Sequence, residues 1–119
     1  MPVQRDYILR LLEQAAAVVR RLRELLGAGT GEPAAMVDEA RAAQAELFGE
    51  TWMLLQRVDV ATATGLVRDA RQLAVWADLL RVEAEASRAL GDTERATYLA
   101  TRADGVAAAA ARNKATSEG

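Results

Sequence analysis

A chain of 119 residues, with 51% hydrophobic and only 4% aromatic residues, fits one domain and favours closely packed helices rich in alanine and leucine. It has no histidine and no cysteine, which excludes Ser-His-Asp and Cys-His nucleophiles, histidine metal sites, zinc sites and disulfides. The net charge of −2 disfavours nucleic-acid and acidic-membrane partners, because both require excess cationic charge.

The first predicted helix covers residues 6–26 and ends at Gly27 and Gly29. Apolar residues recur along it at steps of three and four: Ile8, Leu11, Ala15, Val18, Leu22 and Leu25. Three flanking apolar residues, Leu12, Val19 and Leu26, widen this face. The wide face favours a core-facing bundle helix over a two-stranded coiled coil.

Helix 1 also carries a candidate basic patch, made of Arg10, Arg20, Arg21 and Arg23. These side chains could contact phosphates or an acidic lipid surface. The alternative is that they form the polar back of the helix and face the next segment. Residues 32–50 hold five acidic residues and one basic residue, so the second interpretation is favoured.

The stretch GAGTGEP at 27–33 resembles a phosphate-binding loop, but it lacks a preceding strand and the GK[ST] motif. We therefore predict a helix–helix turn, followed by a helix from Pro33 to about Phe48. Residues 50–58 predict a short buried helix, and Asp59 can cap another short helix after it.

The longest predicted helix opens at Asp69 and runs to about Leu90. Apolar residues cover two of its faces, which predicts a central position, and Glu83 and Glu85 are interpreted as surface charge. Gly91 and Asp92 then begin the last helix, to about residue 112. We predict one helical domain over 1–112 and a flexible tail over 113–119.

The corner at residues 91–103 is similar to the second half of a tetratricopeptide repeat, with Gly91, Asp92, Ala96 and Ala103 at the expected spacing. A second, partial copy has Gly31, Met36 and Ala43 at the same spacing. Over most of its length the chain resembles a family of short, uncharacterised bacterial helical proteins with such corners. The matching stretches are RDYILRLLEQ (5–14), ELFG (46–49) and LAVWADLLRVEAEASRALGD (73–92).

This resemblance implies an all-helical and self-associating protein, and it supplies no catalytic residues. The expected fold is an all-α, compact antiparallel bundle of about five helices with tetratricopeptide-like corners. We expect no enzymatic activity, metal or cofactor. Because cysteine is absent and charged residues interrupt any N-terminal signal-peptide core, we expect a cytoplasmic protein.

The leading functional hypothesis is a protein-interaction or scaffold module that forms a homodimer. Helix 1 has more apolar residues than one neighbouring helix covers, which predicts a contact between two copies through helix 1 and residues 52–55. The candidate interaction surface consists of Leu11, Val18, Leu22, Leu25 and Trp52. The alternative is a small regulator that binds nucleic acid or an acidic membrane through the basic patch. An enzyme remains only as a carboxylate-dependent hydrolase using Glu83 and Glu85.

Overall fold

The computed structural model describes residues 2–118 of the chain, and the side chains of residues 5–116. Four long α-helices and two short ones follow one another, with a 3₁₀ turn at Gly49–Thr51. They are α1 (Pro2–Ala28), α2 (Pro33–Phe48), α3 (Trp52–Leu55), α4 (Val60–Leu66), α5 (Ala70–Ala89) and α6 (Thr93–Glu118). The described part of the chain contains no strand, and the all-α prediction is confirmed.

Three aspartates begin helices, as the sequence predicts. The Asp59 carboxylate accepts from the Thr62 backbone N–H at 2.7 Å, and the Asp92 carboxylate accepts from that of Arg95 at 3.1 Å. Asp69 accepts from the backbone N–H groups of two residues of the first turn of α5, at 2.8 and 3.2 Å. Each cap satisfies N–H groups that the helix itself leaves without a partner.

The segment between α1 and α2 is a helix–helix turn, as predicted. Gly29 and Gly31 have φ angles of 68° and 91°, which residues with a Cβ rarely adopt. At the other end of the chain, α6 continues to Glu118, beyond the predicted end at residue 112. The Asn113 side chain donates to the Arg68 carbonyl at 3.1 Å, so the final turns also contact the α4–α5 connection.

Helix α5 is the centre of the molecule, as its two apolar faces predict. It contacts α1, α2 and α6, and its residues Leu73, Trp76 and Leu79 are fully buried. Helix α1 buries part of its predicted wide apolar face: Leu12, Ala15, Val19 and Leu22 are buried, whereas Ile8, Leu11, Val18, Leu25 and Leu26 are half-buried. Two residues of the predicted stripe, Ala15 and Leu22, and two flanking residues, Leu12 and Val19, therefore supply the deepest core contacts of α1.

Helices α5 and α6 form the tightest hairpin, and small residues make it possible. Ala96 and Ala103, the two alanines seven residues apart, are both fully buried. Alanine lets helix backbones approach closely because its side chain is a single methyl group. Burial of these two positions follows from hairpin packing alone, whatever family the corner belongs to.

The short helix α4 packs on α6 at Gly105. A Cβ built at Gly105 would lie 2.7 Å from Cγ1 of Val60 and 3.5 Å from its Cβ and Cγ2. Rotation of the Val60 side chain offers little relief, because β-branched side chains are restricted at χ1. Glycine at position 105 therefore permits the close contact between α4 and α6.

We expect Gly105→Ala to destabilise the protein by about 1–2 kcal/mol, since the clash with Val60 outweighs the helix propensity gained by alanine. Urea unfolding followed by circular dichroism measures the change. The matched control is Gly65→Ala in α4, where no atom lies within 4 Å of the added Cβ. That substitution should stabilise the protein by about 0.5–1 kcal/mol. Equal stabilisation by both substitutions would contradict a tight α4–α6 contact.

Candidate functional site

A cavity of about 380 Å³ lies among α2, α3, α5 and α6, and we call it the arginine pocket. Four arginines line it: Arg41 from α2, Arg57 from the α3–α4 connection, and Arg95 and Arg102 from α6. Gln44 and Glu83 form part of its lining from α2 and α5. The pocket therefore brings together polar residues that are far apart in the sequence.

Arg102 is a structural part of the pocket. Although arginine is normally exposed, this residue is only 6% exposed. Its guanidinium donates to the Val58 carbonyl at 2.9 Å and to the Leu55 carbonyl, and it lies 5.5 Å from the ring centroid of Trp76. These contacts attach the end of α3 and the α3–α4 connection to α6. The Leu55 carbonyl lies at the C-terminal end of α3, where the backbone lacks intrahelical partners, and the Val58 carbonyl lies in the connection.

A buried hydrogen-bond network connects α2 to α5 beside the pocket. The Trp76 indole N–H donates to Oε1 of Gln44 at 3.1 Å, and Nε2 of Gln44 donates to Oε1 of Glu83 at 2.8 Å. The same Nε2 also donates to the Ala40 carbonyl at 3.2 Å. No described buried side-chain nitrogen or oxygen lacks a partner. The network thus keeps three buried polar side chains satisfied at once.

The interpretation of Glu83 as surface charge is wrong. Glu83 is 2% exposed, and its Oε2 lies 3.8 Å from a guanidinium nitrogen of Arg95. Burial raises the pKa of the Glu83 carboxyl group, while the Gln44 hydrogen bond and the charges of Arg95 and Arg41 act in the opposite direction. The exposed neighbour Glu85 lies on another side of the helix, so the two carboxylates do not form a pair.

The arginine pocket has an excess of positive charge. Four arginines and one glutamate line it, a local formal charge of +3 in a chain whose net charge is −2. Arg95 lies near Glu83 and over the ring of Tyr98, whereas Arg41 and Arg57 form no ion pair within the described part of the chain. A concave surface with one sign of charge concentrates the field and attracts ions of the opposite sign.

Apolar and aromatic side chains also line the arginine pocket: Trp52, Leu80, Tyr98 and Leu99. Of these, Tyr98 is 49% exposed. Trp52 is half-buried and packs against Phe48 and Trp76, with ring centroids 6.3 and 6.4 Å away. The prediction placed Trp52 on an interaction surface, and the structure places it at the edge of this pocket.

The other predicted interaction residues do not form one surface. Leu22 is fully buried in the core of its own chain, so it cannot contact a partner. Leu11 and Val18 are half-buried and line a second, smaller groove between α1 and α2, with a volume of about 230 Å³. Leu25 is also half-buried, and Trp52 lies at the arginine pocket. Leu11, Val18 and Leu25 therefore share one side of α1, whereas Leu22 and Trp52 lie apart from it.

The candidate basic patch on α1 is exposed but partly neutralised. Arg21 forms an ion pair with Glu39 of α2, and Arg23 forms one with Asp78 of α5 at 3.1 Å. Arg10 and Arg20 are exposed. These contacts agree with the interpretation that the arginines of helix 1 face the acidic side chains of neighbouring helices. None of the four arginines lines the arginine pocket.

The sequence indicates two buried charged residues of the pocket, Glu83 and Arg102, through the apolar residues at helical spacing around them. Glu83 has apolar residues at the helical spacings that bring side chains onto one face: Trp76, Leu79, Leu80, Ala86 and Leu90. Arg102 lies between Leu99 and Val106 on the inner face of α6. A charged residue on such a face is either buried without a partner, which is unfavourable, or part of a buried polar cluster. Which polar groups meet it depends on tertiary packing.

The raised pKa of Glu83 predicts a pH-dependent stability. Its contribution is fully present below the unfolded-state pKa, near 4.5, and is lost as the pH rises through the folded-state value. We therefore expect the stability of Glu83→Gln relative to wild type to increase as the pH rises above the unfolded-state value near 4.5. Urea unfolding at several pH values measures this difference. The control is Glu85→Gln, at an exposed site of the same helix. A difference that is constant, or that changes with pH in the opposite direction, would contradict a raised pKa of the Glu83 carboxyl group.

None of the described helices has both the length and the apolar content needed to cross a membrane. Within the described residues, no three acidic side chains converge in a way that would bind a metal ion. Comparison with protein-family models gave no match, and comparisons with curated proteins and with solved structures gave no significant match.

Proposed function

We propose that this chain is a non-enzymatic helical module that binds a protein partner through the arginine pocket. The observation that carries the proposal is the convergence of arginine, tryptophan and tyrosine at one concave surface. These residue types dominate the energetic centres of protein interfaces, because they combine apolar area with hydrogen-bonding groups. Arg41, Arg57 and Tyr98 are exposed, and Trp52 is half-buried, so a partner can reach them.

The chemistry of the pocket favours binding over catalysis. Arginine remains protonated and is a poor general base, and Arg102 is already held by two carbonyl groups. Glu83 is buried and accepts a hydrogen bond from Gln44, which holds it in the wall. The proposal therefore includes the absence of enzymatic activity and of a cofactor. A cytoplasmic location and a tetratricopeptide-like origin of the corners belong to the same proposal and rest on the sequence.

We also propose that a second copy of the chain is one of its partners. The two segments named for self-association both carry exposed apolar side chains: Tyr7 of α1 is 59% exposed, and Met53 and Leu54 of α3 are 60% and 49% exposed. Large apolar side chains on a surface are covered when an interface forms. In the proposal, the exposed residues Tyr7, Met53 and Leu54 take the place of the predicted set that included the buried Leu22.

Partner capture tests the role of the pocket. We expect wild-type protein to recover protein partners from a nuclease-treated extract of its native cells, and Arg41→Gln/Arg57→Gln to lose them. Both arginines are exposed and form no described ion pair, so the double variant should keep its fold. The control Arg10→Gln/Arg20→Gln removes the same charge from exposed sites on α1 and should keep the partners. Equal recovery by all three proteins would refute a role of the pocket.

Light scattering coupled to size-exclusion chromatography tests self-association. We expect a mass of twice 12.8 kDa at micromolar concentration and a shift toward 12.8 kDa for Met53→Glu/Leu54→Glu. Two carboxylates in an apolar interface would lose hydration without gaining a partner. Leu66→Glu is the matched control, because Leu66 is 50% exposed and lies outside both segments. A wild-type mass of 12.8 kDa throughout a concentration series would exclude the homodimer.

A further inference from the structure

We propose that the arginine pocket binds carboxylate side chains of an acidic segment in the partner protein. This inference rests on the proposed function and specifies the chemistry of the partner. The contacting groups would be the guanidinium groups of Arg41, Arg57 and Arg95, which come from three different parts of the fold. The remaining polar residues of the wall would orient these groups.

The first argument is the distribution of charge within the pocket. Arg102 and Glu83 are buried and already hydrogen-bonded, so their positions are set before a ligand arrives. Arg41 and Arg57 are exposed and form no ion pair within the described residues, and the ion pair of Arg95 with Glu83 is long, at 3.8 Å. The three arginines line the pocket with one carboxylate, Glu83, so the pocket can accept further negative charge. A guanidinium can donate two parallel hydrogen bonds to a carboxylate, which adds directional specificity.

The second argument is the size and lining of the pocket. A volume of about 380 Å³ lies near the lower end of the range for ligand pockets, so it suits one or two side chains. The rings of Trp52 and Tyr98 provide a wall against which the methylene groups of glutamate or aspartate can pack. An inorganic phosphate has no such groups, so it would make only the polar contacts of the pocket.

The third argument concerns the kind of macromolecule. Nucleic-acid surfaces use many cationic contacts spread along the phosphate backbone. Here four arginines are grouped at one pocket of an acidic protein, and two arginines of α1 are paired with carboxylates. A short acidic peptide segment matches this localised charge better than a polyanion does.

Tryptophan fluorescence of the full chain provides the test, because Trp52 lines the pocket, Trp76 contacts Arg102, and the chain has no other tryptophan. The probe is the capped peptide acetyl-Gly-Asp-Glu-Asp-Glu-Gly-amide. Its control has asparagine and glutamine at the acidic positions. Inorganic phosphate and a short single-stranded DNA are titrated under the same low-salt conditions. We expect saturable binding of the acidic peptide, weakening as salt rises, and weaker binding of the other three probes.

Arg57→Gln should weaken acidic-peptide binding by about tenfold, and Arg41→Gln/Arg57→Gln should weaken it further. Arg20→Gln, which changes the net charge by the same amount on α1, should change the affinity by less than about twofold. Circular dichroism confirms that each variant retains its helical content.

The inference would be overturned by tighter binding of phosphate or DNA, by equal binding of the neutral peptide, by an unchanged affinity in the Arg41→Gln/Arg57→Gln variant, or by no peptide binding at all. Absence of peptide binding together with arginine-dependent partner capture would refute the acidic ligand and leave the proposed function in place. Peptide binding together with capture that does not depend on Arg41 and Arg57 would refute the proposed function alone.

Discussion

The hydrogen bonds of Gln44 with Trp76 and Glu83 are the contact on which the arrangement of this molecule depends. Gln44 is fully buried, and its amide both accepts from the Trp76 indole of α5 and donates to the Glu83 carboxylate about two turns further along the same helix. A shift of α2 along α5 would break both bonds and leave buried polar groups without partners, which costs about 1–3 kcal/mol for each group. Apolar contacts alone would tolerate several registers, so this network specifies one.

The arginine pocket follows from that register. Once Glu83 is held in the wall, Arg95 of α6 is placed near it, and Arg41 of α2 contributes a further positive charge to its surroundings. Arg102 holds the carbonyls at the end of α3 and in the α3–α4 connection, and these contacts bring Trp52 and Arg57 to the same cavity. The polar residues inside the bundle therefore have two effects: they determine how the helices pack, and they assemble the surface proposed to bind a partner.

Helix α1 is a core-facing helix, as its wide apolar face predicts. Its deepest residues complete the core against α5, and two of its arginines form ion pairs with carboxylates on α2 and α5. Exposed ion pairs of this kind contribute little to stability, but they reduce the positive field that a polyanion would encounter. The proposed surface for self-association and the proposed pocket for an acidic segment consequently involve different parts of the chain, apart from α3, which contributes to both.

Local sequence signals determined the helical class, the capping aspartates, the glycine turn between α1 and α2, and the central position of α5. These features depend on residues within one or two helical turns of each other, where periodicity and capping act directly. Only the tertiary structure decided which apolar residues of α1 are fully buried. It also decided the burial of Glu83 and Arg102 and the convergence of four arginines. Periodicity shows that a charged residue lies on an inner face, but it does not show which distant group will face it there. The hydrogen bonds from Gln44 to Glu83 and from Arg102 to Leu55 join residues 39 and 47 positions apart, and such pairings form only when the helices pack.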